Sequence, residues 1–209
     1  MLFIDIPSGQ FVDNADNSHK IQPFKLGKYP VTVAEWKEFL SATKYDWKNT
    51  VSNINNPVTN VSYNDAEAFC KWAGYRLPTG PEWEWACRAG GPDQPNNIQE
   101  IAWCYENSDN RIHPVGQKTP NAWGLYDMLG NCWEWTSEAV GSSSRVLRGG
   151  SWGNSAYYLR GSNRNVYVPA YRLDYYGFRC VVSPPEILNS DLLIPRTRLQ
   201  AMMQNLSLY

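Results

Sequence analysis

The sequence predicts a single domain of the α+β class, with a few helices in its first half and short strands joined by long loops in its second. Three amphipathic stretches between residues 32 and 91 begin at helix-capping residues. Beyond residue 91, Gly, Pro, Asn and Ser recur every few residues, and no helical period returns until the C-terminus. We find no internal repeat and no clean linker, so we expect one domain over residues 1–183 and a C-terminal extension over 184–209.

Short apolar runs predict the strands. The first two are expected over residues 2–6 and 24–28, with a polar, turn-rich stretch at 13–19 between them. In the second half, four further strands are predicted, over residues 102–105, 133–136, 146–148 and 177–182. The remainder of that half is predicted to form long loops, which in a compact domain are usually functional.

Each predicted helix has a recognisable start. Thr32 begins a T-x-x-E capping box ahead of apolar residues at helical spacing. Ser62 caps a second helix that Gly74 ends in the left-handed conformation, and Thr79 caps a third that runs to Ala89 and is stopped by two glycines. Within the extension, a helix is predicted from the spacing of Leu199, Met202, Met203 and Leu206.

The composition excludes several classes of protein. With 19 Lys and Arg against 20 Asp and Glu, the formal net charge is −1, whereas proteins that coat nucleic acid normally carry a basic excess. No stretch approaches the roughly 20 apolar residues of a membrane span, and the N-terminus lacks the basic and apolar regions of a secretory signal. The five cysteines form no C-x-x-C pair and indicate free thiols. We therefore expect a cytoplasmic protein, with export left open.

The segment from residue 148 to residue 179 interleaves arginines with tyrosines and asparagines. Arginine beside aromatic rings can bind nucleic acid through phosphate contacts and stacking. Alternatively, the guanidinium groups are structural and bond to loop carbonyls with their five donors. The neutral net charge favours the structural role. Tyrosine and asparagine together are typical of adaptable binding loops. The arginines are Arg148, Arg160, Arg164, Arg172 and Arg179.

A second group of polar residues surrounds a glycine turn. Asp127 and Glu134 flank Gly130, and carboxylates together with exposed backbone carbonyls are the oxygen ligands that Ca²⁺ takes. The alternative is a hairpin in which Trp133 and Trp135 fill the core while the two carboxylates cap backbone amides. The residues alone leave both alternatives open.

Five segments, in order, resemble the formylglycine-generating enzyme (sulfatase-modifying factor) family. They are PVT at 30–32, AEAFCKWAGYRLPTGPEWEWACRAGG at 66–91, PNAWGLYDMLGNCWEWTSE at 120–138, VLRGGSW at 146–152 and GFRC at 177–180. The resemblance runs from Leu2 to about Ser183 and implies a C-type-lectin-like fold with short strands, a few helices and many long loops. It also implies a structural Ca²⁺ site made by the side chains of Asp127 and Glu134 and the carbonyls of Gly130 and Cys132.

Catalysis does not carry over with this resemblance. The oxidase members hold copper with two cysteines just after their R-G-G-S motif, because thiolate is the soft ligand that Cu(I) needs. Here those positions fall near Asn154 and Leu159, and no cysteine lies between Cys132 and Cys180. We therefore expect neither copper nor an enzyme. The alternative function is an oxidase with a rearranged centre.

The C-terminal half also resembles the variable proteins of diversity-generating retroelements. In that group, residues between fixed frame positions are diversified by adenine-directed mutagenesis of Asn-type codons, which cannot produce Met, Gln, Lys, Glu or Trp. None of these five residue types occurs from residue 153 to residue 176. This chain departs from the group in one respect, because the group's frame usually ends closer to the C-terminus than it does here. The matching frame residues are Arg148, Gly149, Gly150, Ser151, Trp152, Ala156, Arg160, Arg164, Pro169, Arg172, Gly177, Phe178 and Arg179.

Together these features predict a non-catalytic protein that binds a ligand through a variable surface. The ligand is expected to be a protein, because a flat aromatic and polar patch suits an interface better than a small-molecule pocket. Membrane and nucleic-acid binding are not expected, and the oligomeric state is left open. The predicted binding residues are Trp152, Asn154, Tyr157, Tyr158, Asn163, Asn165, Tyr167, Tyr171, Tyr175 and Tyr176.

Overall fold

A computed structural model of the protein describes residues 1–47 and 53–182. The predicted extension over 184–209 lies outside these residues. The strands are β1 (Phe3–Ile6), β2 (Gly9–Val12), β3 (Ser18–Ile21), β4 (Phe24–Gly27), β5 (Tyr75–Arg76), β6 (Trp133–Val140), β7 (Ser144–Arg148), β8 (Arg164–Tyr167), β9 (Tyr176–Phe178) and β10 (Val181–Val182). The helices are α1 (Val33–Thr43), α2 (Tyr63–Ala73), α3 (Gly80–Arg88) and α4 (Ile98–Ile101), with a 3₁₀ turn at Ala156–Tyr158. None of the helices in this part of the chain is long and apolar enough to span a membrane.

Local capping explains why the three longer helices begin where the sequence predicts. Thr32, Ser62 and Thr79 each accept a hydrogen bond from the backbone three residues later, and the acidic residue there accepts one in return. Gly74 ends α2 with a φ of 76°, a left-handed conformation that glycine adopts without strain. The end of α3 differs from the prediction only slightly, since Ala89 itself takes the left-handed C-cap.

The strands form two four-stranded sheets and one hairpin. The first sheet has the order β1-β4-β10-β5, and the second has the order β8-β7-β6-β9. Strands β2 and β3 pair as a separate antiparallel hairpin. In the second sheet β7 is antiparallel to β6 and β8, whereas β9 runs parallel to β6. This second sheet carries the segment that the sequence singles out.

Two strand predictions are wrong, and four observed strands lie outside the predicted ones. The predicted strand over 177–182 is divided, because β9 pairs in the second sheet and β10 in the first. The predicted strand over 102–105 makes only one bridge, from Trp103 to Gly130, while the Cys104 N–H donates to the Asn107 side chain at 2.9 Å. The four unpredicted strands are only two to four residues long and show no clear apolar alternation. They are β2, β3, β5 and β8.

The core has two parts. One is aromatic and lies between α1, α2 and the inner face of β6 and β7, where Trp36 stacks on Phe69 with ring centroids 5.7 Å apart. The other lies around α3 and the first sheet. As one of the two alternatives predicts, Trp133 and Trp135 are buried, and Trp135 Nε1 donates to the Val61 carbonyl at 3.0 Å.

Candidate functional site

Exposed aromatic side chains lie at the two ends of β8. Before the strand, the 3₁₀ turn presents Tyr157 and Tyr158, which are 69% and 57% exposed and meet edge to face with ring centroids 5.2 Å apart. After the strand, Tyr171 is 46% exposed and stacks on Tyr167, with ring centroids 5.4 Å apart and planes 13° from parallel. Tyr175 is half-buried and packs edge to face against Trp152. We call these six side chains the aromatic surface: Trp152, Tyr157, Tyr158, Tyr167, Tyr171 and Tyr175.

Tyr176 was predicted as a binding residue, and this assignment is wrong. The side chain is fully buried, because β9 pairs with β6 and places it in the core beside Trp135. Its ring instead contacts Tyr167 and Tyr175, at centroid distances of 5.4 and 5.2 Å. The buried Tyr176 ring therefore packs against two residues of the aromatic surface and stabilises their positions.

The three predicted asparagines bond to the protein's own backbone. Asn154 Oδ1 accepts from the N–H of Ser151 at 2.9 Å, and Asn163 Nδ2 donates to the carbonyl of Tyr158 at 2.9 Å. Asn165 Oδ1 accepts from the next N–H along the chain, at 3.2 Å. All three are half-buried. In this arrangement they shape the loops around the aromatic surface.

The arginines of this segment have the structural role that the neutral net charge favours. Arg148 is buried and bonds to Glu84 and Glu138, each at 3.2 Å. Glu138 also accepts from Arg164 of β8 at 2.6 Å. Arg160 donates to the carbonyl of Tyr157 at 3.1 Å. Contrary to the prediction, carboxylates serve as partners as well as carbonyls, because a buried guanidinium such as that of Arg148 needs a counter-charge.

Arg172 ties the loop after β8 to the start of α2. Its guanidinium donates two hydrogen bonds to the buried Asp65 carboxylate, at 2.6 and 2.7 Å. Asp65 also accepts from the N–H of Ser62 and the hydroxyl of Tyr45. Although burial raises the pKa of Asp65, these hydrogen bonds outweigh it and hold the pKa below its usual range. A charged, fully bonded carboxylate thus anchors the loop that carries Tyr171.

An exposed aromatic residue that is not among the predicted binding residues lies beside this segment. Tyr105 is exposed, and its N–H donates to the carbonyl of Asn154 at 2.9 Å. The neighbouring Glu106 accepts from Ser155 Oγ at 2.6 Å and from the N–H of Ala156. The hydrogen bond from Ser155, above all, lowers the pKa of Glu106 to about 2. The sequence predicts a strand over residues 102–105, and a tyrosine within a strand is not expected to bind a ligand. The polar residues that follow Tyr105 are a signal in the sequence that favours a loop instead.

Asn154 and Leu159, near which the family resemblance implies the copper ligands of oxidases, carry no sulfur. Leu159 is fully buried in the second part of the core. The Asn154 side chain accepts a hydrogen bond from the N–H of Ser151. The five cysteines of the chain are all buried free thiols. Burial raises the pKa of Cys104 to about 11 and that of Cys132 well above its usual value, so these thiols stay protonated at neutral pH.

The predicted calcium ligands surround the glycine turn before β6, but one of them is already bonded. Both oxygens of the buried Glu134 carboxylate accept from Arg179, at 2.7 Å each. Trp83 Nε1 donates to the same carboxylate at 2.7 Å. The other predicted ligands are Asp127, Gly130 and Cys132.

Asp127 is a buried carboxylate with fewer partners. It accepts from the N–H of Gly116 at 2.8 Å, and burial raises its pKa to about 6. Calcium bound by both carboxylates would have to displace Arg179 from Glu134, so the residues as arranged do not fit the ion. Across residues 1–47 and 53–182, no three His, Cys, Asp or Glu side chains lie close enough to hold a metal ion together. Calcium binding stays a prediction of the family resemblance.

Thermal unfolding in calcium and in chelator tests that prediction. With Arg179 occupying Glu134, we expect the same midpoint in both conditions, since only a ligand of the native state raises the midpoint. A higher midpoint in calcium would restore the predicted site and would require Glu134 to exchange Arg179 for the ion. Magnesium at the same concentration is the matched control.

Comparison with known proteins identifies related chains. A family model described as the sulfatase-modifying factor enzyme 1-like domain matches residues 3–184. The chain is 38% identical over 248 residues to the inactive C-alpha-formylglycine-generating enzyme 2 of Bos taurus, with 84% of this chain and 82% of that protein covered. It is 33% identical over 188 residues to the formylglycine-generating enzyme of Mus musculus, with 72% of this chain and 50% of that protein covered. The chain thus spans only half the length of the second relative.

A solved structure shares the fold. Treponema denticola variable protein 1 superposes with a TM-score of 0.72 and 25% identity, covering 87% of this chain and 95% of that chain. The fold is therefore the C-type-lectin-like fold of formylglycine-generating enzymes and variable proteins, as the sequence predicts. One relative is named as inactive and another as an enzyme, so the relatives do not decide whether this chain is catalytic. The chain belongs to the family of the sulfatase-modifying factor enzyme 1-like domain.

Proposed function

We propose that the protein is a non-catalytic ligand-binding protein that uses the aromatic surface to bind another protein. The observation that carries the proposal is the exposure of Tyr157, Tyr158 and Tyr171 in the segment where oxidase relatives carry copper ligands. Large exposed aromatics on a soluble domain commonly mark interaction sites, and tyrosine provides contact area at a small cost in side-chain entropy.

The loops that carry these tyrosines are already fixed by the protein's own bonds. Arg172 and Asp65 anchor one end of the surface, and Glu106 holds the 3₁₀ turn at the other end. Binding therefore has little backbone left to order. A lower ordering cost leaves more of the contact free energy as affinity.

An interaction screen with the full chain as bait tests this function. The screen is run in parallel with the wild type and with a variant in which Tyr157 and Tyr171 are both replaced by alanine. We expect at least one protein that binds the wild type and not the variant. The proposal fails if every protein recovered binds both forms equally.

The alternative function is oxidation by a rearranged centre, because some relatives are enzymes. A copper-dependent oxidase of this family needs thiolates that can hold the metal, and here the corresponding positions are Asn154 and Leu159. We expect no aldehyde when the protein is incubated with Cu(I), oxygen and a cysteine-containing peptide. The control is a variant with cysteine at both positions, assayed in the same way. Aldehyde formed by the wild type would overturn the non-catalytic assignment.

A further inference from the structure

Strand β8 is an edge of the second sheet. It pairs with β7 on one side, and on its other side no strand of the described residues pairs with it. An edge strand presents a row of backbone N–H and C=O groups that another extended chain can bind. Along the chain, β8 lies between Tyr158 and Tyr171, and its residue Tyr167 belongs to the aromatic surface.

The pairing register shows which backbone groups face outward. Thr136 of β6 donates through Oγ1 to the Val146 carbonyl at 3.0 Å, so Val146 directs its backbone groups toward β6. Successive residues of a strand face opposite sides, so Leu147 bonds to its partner Asn165, whereas Val146 and Val166 form a non-hydrogen-bonded pair. The backbone groups of Val166 therefore point away from the sheet. By the same alternation, those of Arg164 also point outward.

The features that usually protect an edge strand are weak here. β8 contains no proline and no lysine. Its one charged side chain, Arg164, bonds to Glu138 at 2.6 Å and is thereby neutralised. The N–H of Val166 has only the amide oxygen of the preceding Asn165 as a partner, at 3.2 Å. Val166 and Val168 expose their side chains beside this open edge.

We propose that an extended peptide segment of the partner protein adds to the second sheet as a strand beside β8. This inference rests on the proposed function and specifies how the partner is held. The outward N–H and C=O groups of Arg164 and Val166, two residues apart, match the repeat of another extended backbone. Backbone pairing supplies a contribution that is independent of side-chain identity, while Tyr167 and Tyr171 select the partner's sequence.

The test compares two substitutions at one position. Val166→Pro removes the outward N–H, and proline is tolerated on an edge strand where that N–H faces outward. Val166→Thr keeps the N–H and a β-branched side chain and is the matched control. The probe is a phage-displayed library of random linear peptides, each long enough to form one strand of about five to ten residues, selected on the full wild-type chain.

We expect the selected peptides to bind Val166→Thr within about threefold of wild type and Val166→Pro at least about tenfold more weakly, since one lost backbone hydrogen bond has an effect of this order. Circular dichroism confirms that each variant is folded. If the proline variant fails to fold, amide exchange of the wild type decides instead. The Val166 amide must then be protected by bound peptide, whereas the Asn165 amide is protected with and without it.

Any of three results with the peptides would overturn the inference: equal peptide affinity for the proline variant, unchanged exchange of the Val166 amide, or recovery of no peptide at all. Dimerisation of the chain through β8, detected by sedimentation and lost in Val166→Pro, would also overturn it and assign the edge to a second copy. Peptides that lose binding when Tyr157 and Tyr171 are replaced, but not with Val166→Pro, would leave the proposed function intact. The two failures are therefore distinguishable.

Discussion

Replacing Arg179 by methionine is expected to lower the free energy of unfolding by about 3–5 kcal/mol, because it leaves the buried Glu134 carboxylate without its counter-charge. Both side chains of this pair are at most 1% exposed. The guanidinium also donates to the carbonyls of Gly27 and Tyr126, at 3.1 and 3.0 Å. One side chain thus joins the first sheet, the glycine turn and β6, and its loss affects all three. Urea denaturation followed by tryptophan fluorescence measures the change.

The matched control for that variant is Arg164→Met. Arg164 also pairs with a glutamate, but its side chain is 47% exposed, and exposed ion pairs contribute about 0–1 kcal/mol. We expect the control to change the free energy of unfolding by less than about 1 kcal/mol. If Arg179→Met were no more destabilising than Arg164→Met, Glu134 would be neutralised by another cation, and the assignment of Arg179 as its partner would be wrong.

Replacing Tyr157 or Tyr171 by alanine is expected to weaken partner binding at least about tenfold, and replacing both is expected to abolish it. Large, exposed tyrosines at the centre of an interface commonly account for more than about 1 kcal/mol each when truncated, and about 1.4 kcal/mol corresponds to a tenfold change in affinity. The midpoint of thermal unfolding should barely change, because both rings are largely outside the core. Titration calorimetry with a partner recovered in the interaction screen measures the affinities.

A control for the tyrosine variants lies on another sheet. Val12 of β2 is exposed, and β2 belongs to the hairpin with β3. We expect Val12→Ala to bind the partner with wild-type affinity. Unchanged affinity in both tyrosine variants would contradict the assignment of the aromatic surface, whereas a loss in Val12→Ala would place the interface elsewhere.

The helix starts can be predicted from the sequence, because all the residues of a capping box lie within four consecutive positions. Thr32, Ser62 and Thr79 each mark a helix start that the structure confirms. Longer-range pairing is not visible locally. Arg172 bonds to Asp65, which is 107 residues away in the sequence, and Arg179 bonds to Glu134, which is 45 residues away. The arginine content of the segment therefore indicates a structural role but does not identify the partners of each arginine.

The candidate site shows the same division between local and long-range information. Residue type and family resemblance identified the segment, and the structure exposes three of its tyrosines. Tyr176 was misassigned because its burial depends on parallel pairing of β9 with β6, which residue type does not reveal. Tyr105 was missed because its position beside Asn154 is created by a contact between distant segments. For the glycine turn, the sequence could not show that Arg179 occupies Glu134.

The most direct test of a variable binding surface is to sequence the DNA on both sides of the gene. We expect a reverse-transcriptase gene and a near-copy of the stretch that encodes residues 153–176, with differences confined to positions where the copy has adenine. Those differences should fall in the codons of exposed tyrosines such as Tyr157, Tyr158 and Tyr171. The absence of both the gene and the copy would contradict a diversified surface and would leave a fixed lectin-like domain with one dedicated ligand.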